Sequence, residues 1–163
     1  MIIAVLSDTH DNRNAVRKAL EAARGRGAEE ILHCGDLTSA PVLALFGGWT
    51  VQYARGNMDR DGAEIRAAVE RLGAGSGYGE VLQLERGGLR IAVMHGNRAE
   101  RLSAAVHSEK FDFVFHGHTH RRRDEQVGRT RRINPGALGG VAVGNFSFCL
   151  LDTDTREVEF VDV

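Results

Sequence analysis

Two aspartates, one asparagine and four histidines stand out in this 163-residue chain, because each closely follows a short apolar run. They are Asp8, His10, Asp36, Asn57, His95, His118 and His120. Oxygen and imidazole nitrogen ligands suit Mn, Fe, Zn, Ni or Co, and the absence of cysteine from the set argues against a closed structural zinc site. Seven ligands are too many for one tetrahedral ion. They fit two ions about 3.5–4 Å apart that share a bridging carboxylate.

The apolar pattern predicts the elements that would position these residues. Predicted strands cover 2–6, 31–34, 50–54, 80–85, 89–94 and 111–115, with short strands around 125–127, 130–133, 147–151 and 157–161, and predicted helices cover 12–25, 39–47, 63–72 and 98–109. Residues 73–79, with four glycines, are expected to form a flexible loop.

Strands alternate with helices in the first half of the chain, which indicates parallel βαβ units. The expected fold class is α/β: two mixed β-sheets packed face to face as a sandwich, flanked by helices, in a single domain spanning 1–163. Ligands of α/β sheets bind at the carboxyl ends of the strands, so the seven polar residues should converge there. Glycines beside them would let the backbone turn sharply and approach the ions.

Five short motifs occur in order, each after a predicted strand: Asp8-x-His10, Gly35-Asp36, Gly56-Asn57, His95-Gly96 and Gly117-His118-x-His120. Together they resemble the calcineurin-like metallophosphoesterase superfamily. The short chain and the run from Gly56 to Asp59 resemble its small, cap-less bacterial and archaeal phosphodiesterase branch. The resemblance covers Met1 to Asn134 by motifs and the remainder by expected fold, so it implies the metallophosphoesterase fold.

The resemblance also implies a role for each ligand. One metal would be bound by Asp8, His10 and His120, the other by Asn57, His95 and His118, with Asp36 bridging them. Two divalent ions are implied, Mn²⁺ first, with Fe, Ni, Zn or Co as alternatives. A metal-bridging hydroxide would attack phosphorus in line with the leaving oxygen, which makes Asp36, Asn57 and His95 the expected catalytic residues.

The implied activity is metal-dependent hydrolysis of phosphoric esters, foremost of phosphodiesters. One alternative is a phosphomonoesterase or nucleotidase that uses the same site. Another is a non-catalytic scaffold that binds a partner protein, as the retromer subunit of this fold does. The expected substrate is a phosphate-ester small molecule or a nucleotide.

Met58 departs from the pattern of the superfamily. Many members carry a histidine directly after the motif's asparagine, where it helps to stabilise the transition state or protonates the leaving group. Without that group, substrates with acidic leaving groups should react best. The neighbouring Asp59 is expected to orient a metal-bound histidine. The run from Arg121 to Arg123 has two interpretations, a solvated strand edge or a grip on a second phosphate or nucleotide.

Other reactive residue types have structural interpretations. His33 and His116 end apolar strands and are expected to be buried core histidines, and His107 is expected on an exposed helix face. Cys34 is expected to pack in the core, since nothing near it in sequence would lower the pKa of its thiol. Asn134 begins an Asn-Pro-Gly turn that is not expected to be catalytic.

Composition restricts location and partners. The formal net charge is −1 and the pI is about 6.7, which gives no strong nucleic-acid signal. No apolar run approaches the roughly 18 residues of a membrane span, and the N-terminus lacks the basic segment of a signal peptide. A cytoplasmic protein is therefore expected. No exposed apolar stripe identifies an interface, although a homo-oligomer is possible.

Overall fold

The computed structural model describes residues 1–141 and 145–163, and it confirms the predicted fold class: two mixed sheets pack face to face between helices. In chain order the elements are β1 (Ile2–Leu6), α1 (Arg13–Gly25), β2 (Ala28–His33), a 3-10 helix (Ala40–Phe46), β3 (Thr50–Ala54), α2 (Gly62–Glu70), β4 (Gly77–Gly79), β5 (Val81–Arg86), β6 (Leu89–Met94), α3 (Ala99–His107), β7 (Phe113–Phe115), β8 (Arg123–Val127), β9 (Thr130–Asn134), β10 (Ser147–Asp152) and β11 (Val158–Asp162). Among these residues no helix combines the length and the apolar character that crossing a bilayer requires.

The first sheet has the strand order β11-β10-β1-β2-β3-β4. Strands β1 to β4 are parallel, while β10 and β11 join as antiparallel neighbours. The second sheet has the order β5-β6-β7-β9-β8, with β6, β7 and β9 parallel and β5 and β8 antiparallel at its edges. The predicted ligands follow parallel strands, and the carboxyl ends of these strands meet at one edge of the sandwich.

Side-chain alternation along the strands builds the layers. On β1, Ile3 and Val5 face the second sheet, whereas Ala4 and Leu6 face the layer formed by α1, the 3-10 helix and α2. On β6, Ile91 and Val93 point inward while Ala92 and Met94 pack against α3. The central strands of both sheets are therefore covered on each face, which accounts for the continuous apolar runs in the sequence.

Local differences from the expected elements have physical reasons. The segment predicted as a helix over 39–47 is a 3-10 helix, with Pro41 in its first turn. The segment predicted as a loop over 73–79 contains β4, which pairs in parallel with β3. Glycine at 77 permits this, because a Cβ there would collide with the Gln52 side chain. Asn12 caps α1 as predicted, accepting a hydrogen bond from the Ala15 N–H at 3.2 Å.

Candidate metal centre

The loops that follow neighbouring strands are joined by backbone hydrogen bonds, and this brings the predicted ligands together. After β1 and β2, the Asp8 N–H donates to the Gly35 carbonyl at 2.9 Å, and the His10 N–H donates to the Asp36 carbonyl at 3.0 Å. In the second sheet the Gly117 N–H donates to the His95 carbonyl at 2.9 Å. The two sheets therefore present their polar loops at the same edge.

Five of the seven predicted ligands have a left-handed backbone conformation. The φ angles are 50° at Asp8, 42° at His10, 57° at Asp36, 70° at His118 and 57° at His120. Residues other than glycine rarely adopt positive φ, although Asp and His tolerate it better than most, and each costs on the order of 1–3 kcal/mol. Such strain concentrated on one set of side chains is typical of a functional site.

Two glycines let the ligand loops approach each other. A Cβ at Gly56 would collide with the Asp36 carboxylate and backbone, and one at Gly117 would collide with the Ser7 hydroxyl and the Asp8 carboxylate. Any other residue at either position would push a carboxylate out of place. The predicted close approach of the backbone is thus present at both positions.

A first group of candidate ligand atoms consists of Asp8, His10 and His120, whose donor atoms lie within 4.8 Å of one another. The Nε2 atom of His120 is 3.3 Å from Asp8 Oδ1 and 3.2 Å from the Nε2 atom of His10. The Asp8 carboxylate is fully buried and also accepts hydrogen bonds from the Ser7 hydroxyl and the His118 N–H.

A second group consists of Asp8, Asp36 and His95, again within 4.8 Å. Asp36 Oδ2 is 3.2 Å from Nε2 of His95 and 4.0 Å from Nε2 of His10, so Asp36 lies between the two groups. Its other oxygen accepts the Met58 N–H at 2.7 Å, which fixes the carboxylate plane. Asp8 belongs to both groups, so its carboxylate is shared between them.

Asn57 and His118 lie at the open side of these groups. The His118 ring is 5.1 Å from the His95 ring, centroid to centroid, and Asn57 lines a cavity together with His95. Both side chains are exposed, whereas Asp8, Asp36 and His95 are buried. The structure therefore places five predicted ligands in compact groups and the other two at their solvent-facing rim.

The histidine tautomers fit a pair of cations. The Nδ1–H of His95 donates to the Cys34 carbonyl at 2.8 Å, and the Nδ1–H of His120 donates to the Val141 carbonyl at 3.0 Å. Each neutral ring then carries a lone pair on Nε2, aimed at a carboxylate that also only accepts. In this neutral form, Nε2 of His95 is buried without a hydrogen-bond partner. A cation between these acceptors would satisfy them, and a backbone-anchored Nδ1 is the usual arrangement of metal-binding histidines.

When no ion is bound, protonation of His95 and His120 would supply the positive charge and a hydrogen bond to the neighbouring carboxylates. Burial would raise the pKa of Asp36, but the hydrogen bond and charge of His95 and the Met58 N–H lower it overall. Burial would lower the pKa of His95, yet its contacts with Asp36 and Asp8 raise it overall. The hydrogen bond to Asp8 likewise raises the pKa of His120. Positive charge is thus favoured at both groups.

Asp59 does not orient a histidine, so that prediction is wrong. Its buried carboxylate accepts three hydrogen bonds, none from an imidazole. Oδ1 accepts the Thr38 N–H at 3.0 Å, and Oδ2 accepts the Tyr53 hydroxyl and the Gly56 N–H, both at 2.7 Å. Asp59 therefore ties the loop after β2 to the loop after β3, and it acts on the site by holding those two loops.

The arginine run next to His120 is largely occupied by structural contacts. Arg122 donates to the Ser147 hydroxyl at 2.8 Å and forms an ion pair with Asp162, and Arg123 pairs with Glu125 at 2.8 Å. These contacts support the interpretation as a strand edge for two of the three arginines.

The structural interpretations of the other residues are confirmed. His33 is buried and stacks on Tyr53, and the exposed His107 donates from Nδ1 to a backbone carbonyl in α3. His116 is buried and accepts from Nε of Arg132. Burial raises the pKa of the Cys34 thiol well above its ordinary value.

The turn at 134–136 supports the site without adding a ligand. The Asn134 amide donates to the Gly117 carbonyl at 2.8 Å and to the Thr119 hydroxyl at 3.1 Å. It thereby fixes the loop that carries His118 and His120. The Asn-Pro-Gly run was visible in the sequence, although its target was not.

Two cavities adjoin the ligand groups, and most of the residues that line them are not among the predicted site residues. One, of about 250 Å³, reaches from Asn57 and His95 to three arginines and a glutamate: Arg55, Arg98, Arg101 and Glu80. The other, of about 540 Å³, begins at His118 and has an apolar floor that includes Leu102, Val106 and Val127. Asn97 borders both. The sequence places Asn97 directly after the His95-Gly96 motif, and this position is a signal that could have predicted its place beside the site.

Two known proteins are similar to this chain along most of its length. The chain is 30% identical over 159 residues to a phosphodiesterase of Methanocaldococcus jannaschii, covering 96% of each chain. It is 28% identical over 145 residues to a probable metallophosphoesterase of Methanothermobacter thermautotrophicus, covering 84% of this chain and 77% of the relative.

Solved structures show the same fold. A structure described as a novel archaeal phosphodiesterase matches with a TM-score of 0.95 and 29% identity over 100% of both chains. A phosphoesterase from E. coli matches with a TM-score of 0.71 and 20% identity over 100% of both chains. Vacuolar Protein Sorting 29 from Cryptosporidium parvum matches with a TM-score of 0.70 and 17% identity over 99% of this chain and 97% of that one. The last two show the fold alone.

The family model described as the calcineurin-like phosphoesterase superfamily domain matches residues 1–156. That span contains every predicted ligand and both ligand groups. The chain therefore belongs to the calcineurin-like phosphoesterase superfamily.

Proposed function

We propose that this protein hydrolyses phosphodiesters with the help of two divalent metal ions. The observation that carries the proposal is the pair of overlapping ligand groups, which share a buried aspartate and place all donor atoms of each group within 4.8 Å. The relatives named as phosphodiesterases support the same reaction.

The chain's residues divide into two sets around Asp36. One ion would be held by Asp8, His10 and His120 and the other by Asn57, His95 and His118, with Asp36 between them. Two carboxylates against two divalent ions leave a formal charge of about +2, which attracts a phosphate anion. When bound, such ions acidify water and neutralise charge that builds on phosphoryl oxygens. Mn²⁺ is the ion to test first, with Fe, Ni, Zn and Co as alternatives.

The reaction needs little from the chain beyond positioning. Hydrolysis forms a bond from water oxygen to phosphorus and breaks the bond to the leaving oxygen, which keeps the bonding electrons while the water proton passes to solvent. Met58, exposed beside the site, has no proton to donate to the leaving oxygen. Substrates whose leaving oxygen is stable as an anion should therefore react fastest.

The two cavities favour a diester over a monoester. A phosphodiester carries two organic arms that diverge from phosphorus, whereas a monoester carries one. One cavity adjoins Asn57 and His95 and the other adjoins His118, so each arm has a separate space. No cap closes the site in the described residues, and a bulky second arm can be accommodated.

The test uses protein stripped with a chelator and then loaded with Mn²⁺. It should hydrolyse bis(p-nitrophenyl) phosphate faster than p-nitrophenyl phosphate, and Asp36→Asn or His95→Ala should abolish turnover while the circular dichroism spectrum stays unchanged. Asp154→Asn, which changes an exposed aspartate that lines neither cavity, serves as the matched control.

Three results would count against the proposal. Full activity in either ligand variant would refute the assigned roles, and a higher rate on the monoester would favour a phosphomonoesterase. Protein that takes up little metal and turns over no phosphoester would favour a non-catalytic scaffold that binds a partner protein.

A further inference from the structure

We infer that the smaller cavity binds a second phosphate, so that the preferred diesters carry an additional phosphate on the arm retained after cleavage. The inference rests on the proposed function and names the substrate class for the same site. It is carried by Arg55, Arg98 and Arg101, which line one cavity that is continuous with Asn57 and His95.

The three arginines come from two different elements. Arg55 follows β3 directly and precedes the Gly56-Asn57 motif, so its backbone is fixed by the same loop that carries a ligand. Its N–H donates to the Gly79 carbonyl at 2.8 Å. Arg98 precedes α3 and Arg101 lies three residues further, so both fall on the same side of that helix. All three side chains are exposed to solvent.

One carboxylate faces these three guanidinium groups. Glu80 accepts from Arg101 at 2.8 Å and lies 3.7 Å from Arg98. Hydrogen bonding by Arg101 and the charge of Arg98 lower the pKa of Glu80, so it is ionised at neutral pH. Three positive charges and one negative charge leave the wall at 3 − 1 = +2. Within the described residues Arg55 has no ion pair, and its guanidinium lies beside Gly62 and the Tyr78 hydroxyl, so its charge is not neutralised by a carboxylate in direct contact.

The volume of the smaller cavity and its difference from the larger one indicate which part of a substrate each cavity binds. A volume of about 250 Å³ is below the roughly 300–1,000 Å³ typical of whole drug-sized ligands, so the cavity suits one compact anionic group. Guanidinium groups bind phosphate through paired, charge-assisted hydrogen bonds. The larger cavity is lined by Leu102, Val106 and Val127 and by one pair of opposite charges, Arg132 and Glu125, so it lacks the excess positive charge of the smaller one and suits an uncharged arm. A diester with one phosphorylated arm would therefore bind in a single orientation.

Two matched substrates test this directly. Both are p-nitrophenyl esters of thymidine 5′-phosphate, one with a free 3′-hydroxyl and the other with a 3′-phosphate. The reacting phosphorus and the leaving group are identical, so only the distal charge differs. With Mn²⁺-loaded protein we expect kcat/KM to favour the 3′-phosphorylated ester by about tenfold or more, which corresponds to about 1.4 kcal/mol. The preference should shrink as salt is raised, because the cavity is open to solvent.

Variants assign the preference to the cavity. Arg55→Gln and Arg101→Gln should each reduce the preference severalfold, and the double variant should reduce the ratio of the two kcat/KM values to about one. The value of kcat/KM on the ester that lacks the 3′-phosphate should change little. Arg121→Gln removes an exposed arginine that follows His120 and lines neither cavity, so it should keep the full preference. Calorimetry of thymidine 3′,5′-bisphosphate against thymidine 5′-monophosphate provides a readout that does not need turnover, and the double variant should lose the tighter binding of the bisphosphate.

The outcomes separate the two proposals. If both esters are hydrolysed equally well, or if the double variant keeps the preference, the inference is overturned while the proposed function stands. If neither ester is hydrolysed, the proposed function fails, and calorimetry still decides whether the arginine cavity selects the second phosphate. A preference that Arg121→Gln removes as completely as the double variant would also overturn the inference.

Discussion

Asp59 gives the sharpest test of how the site is held in place. Its buried carboxylate accepts hydrogen bonds from Thr38, Tyr53 and Gly56, which belong to two different loops around the ligands. Hydrogen bonds to a charged group contribute about 1.5–3 kcal/mol each, and each buried donor that is left unpaired costs about 1–3 kcal/mol. Asp59→Ala should therefore lower the free energy of unfolding by about 3–5 kcal/mol, since partial relaxation and water would recover part of the sum.

The assay is urea denaturation of metal-free protein, followed by thermal unfolding. A loss of that size in a chain of 163 residues corresponds to a Tm lower by about 10 °C. The matched control is Asp61→Ala, because Asp61 is an exposed aspartate that caps α2 by accepting the Ala63 and Glu64 N–H groups. Loss of such a cap costs about 1 kcal/mol.

A second measurement separates positioning from simple stability. Asp59→Ala should weaken Mn²⁺ binding, because Gly56 carries the loop with Asn57, and Asp61→Ala should leave binding unchanged. If Asp59→Ala destabilises no more than Asp61→Ala, the carboxylate does not tie the loops together and the reasoning is refuted. Equal Mn²⁺ affinity in both variants would likewise show that the loops hold their positions without it.

Three further predictions concern buried groups and the leaving group. Burial lowers the pKa of His33 from 6.5 to about 4, so its contribution to stability is present above pH 6.5 and is lost as pH falls toward 4. Between pH 7 and pH 5, the free energy of unfolding should fall by about 2 kcal/mol less in His33→Gln than in wild type. The exposed control, His107→Gln, should fall as wild type does, and an equal fall in the two variants contradicts the prediction. Burial raises the pKa of the Cys34 and Cys149 thiols, so neither should react with a thiol reagent until the chain unfolds, and rapid labelling of native protein would show otherwise. Met58→His should flatten the dependence of kcat/KM on leaving-group pKa across a series of aryl phosphodiesters, and an unchanged slope would mean that position 58 does not reach the leaving oxygen.

The strands that build the site were accessible from sequence because their signal is local. Ile2–Leu6 and Thr50–Ala54 are continuous apolar runs that end in polar residues, and burial on both faces of a parallel sheet requires such runs. The convergence of the ligands then follows from the topology of parallel strands. The predicted strand at 111–115 begins later, at Phe113, because Phe111 packs with α3 as part of the outer layer.

Other features depend on contacts between distant segments, which no local pattern encodes. Asp59 lies next to the Gly56-Asn57 motif in sequence, yet its partners include the hydroxyl of Tyr53 and the backbone of Thr38. The arginine cavity combines residues near 55, 80 and 98–101, and none of these segments is unusual alone. Positive φ at the ligands is likewise set by the hydrogen bonds between loops, so no local sequence pattern predicts it.

The central claim is that the ligand groups bind two ions which act together on a phosphodiester. Titration of chelator-stripped protein with Mn²⁺, with bound metal and hydrolysis of bis(p-nitrophenyl) phosphate measured on the same samples, tests it most directly. We expect binding to saturate at two ions per chain, turnover to follow occupancy by the second ion, and Asp36→Asn to lose both. Saturation at one ion with full activity, or turnover that persists in excess chelator, would contradict it.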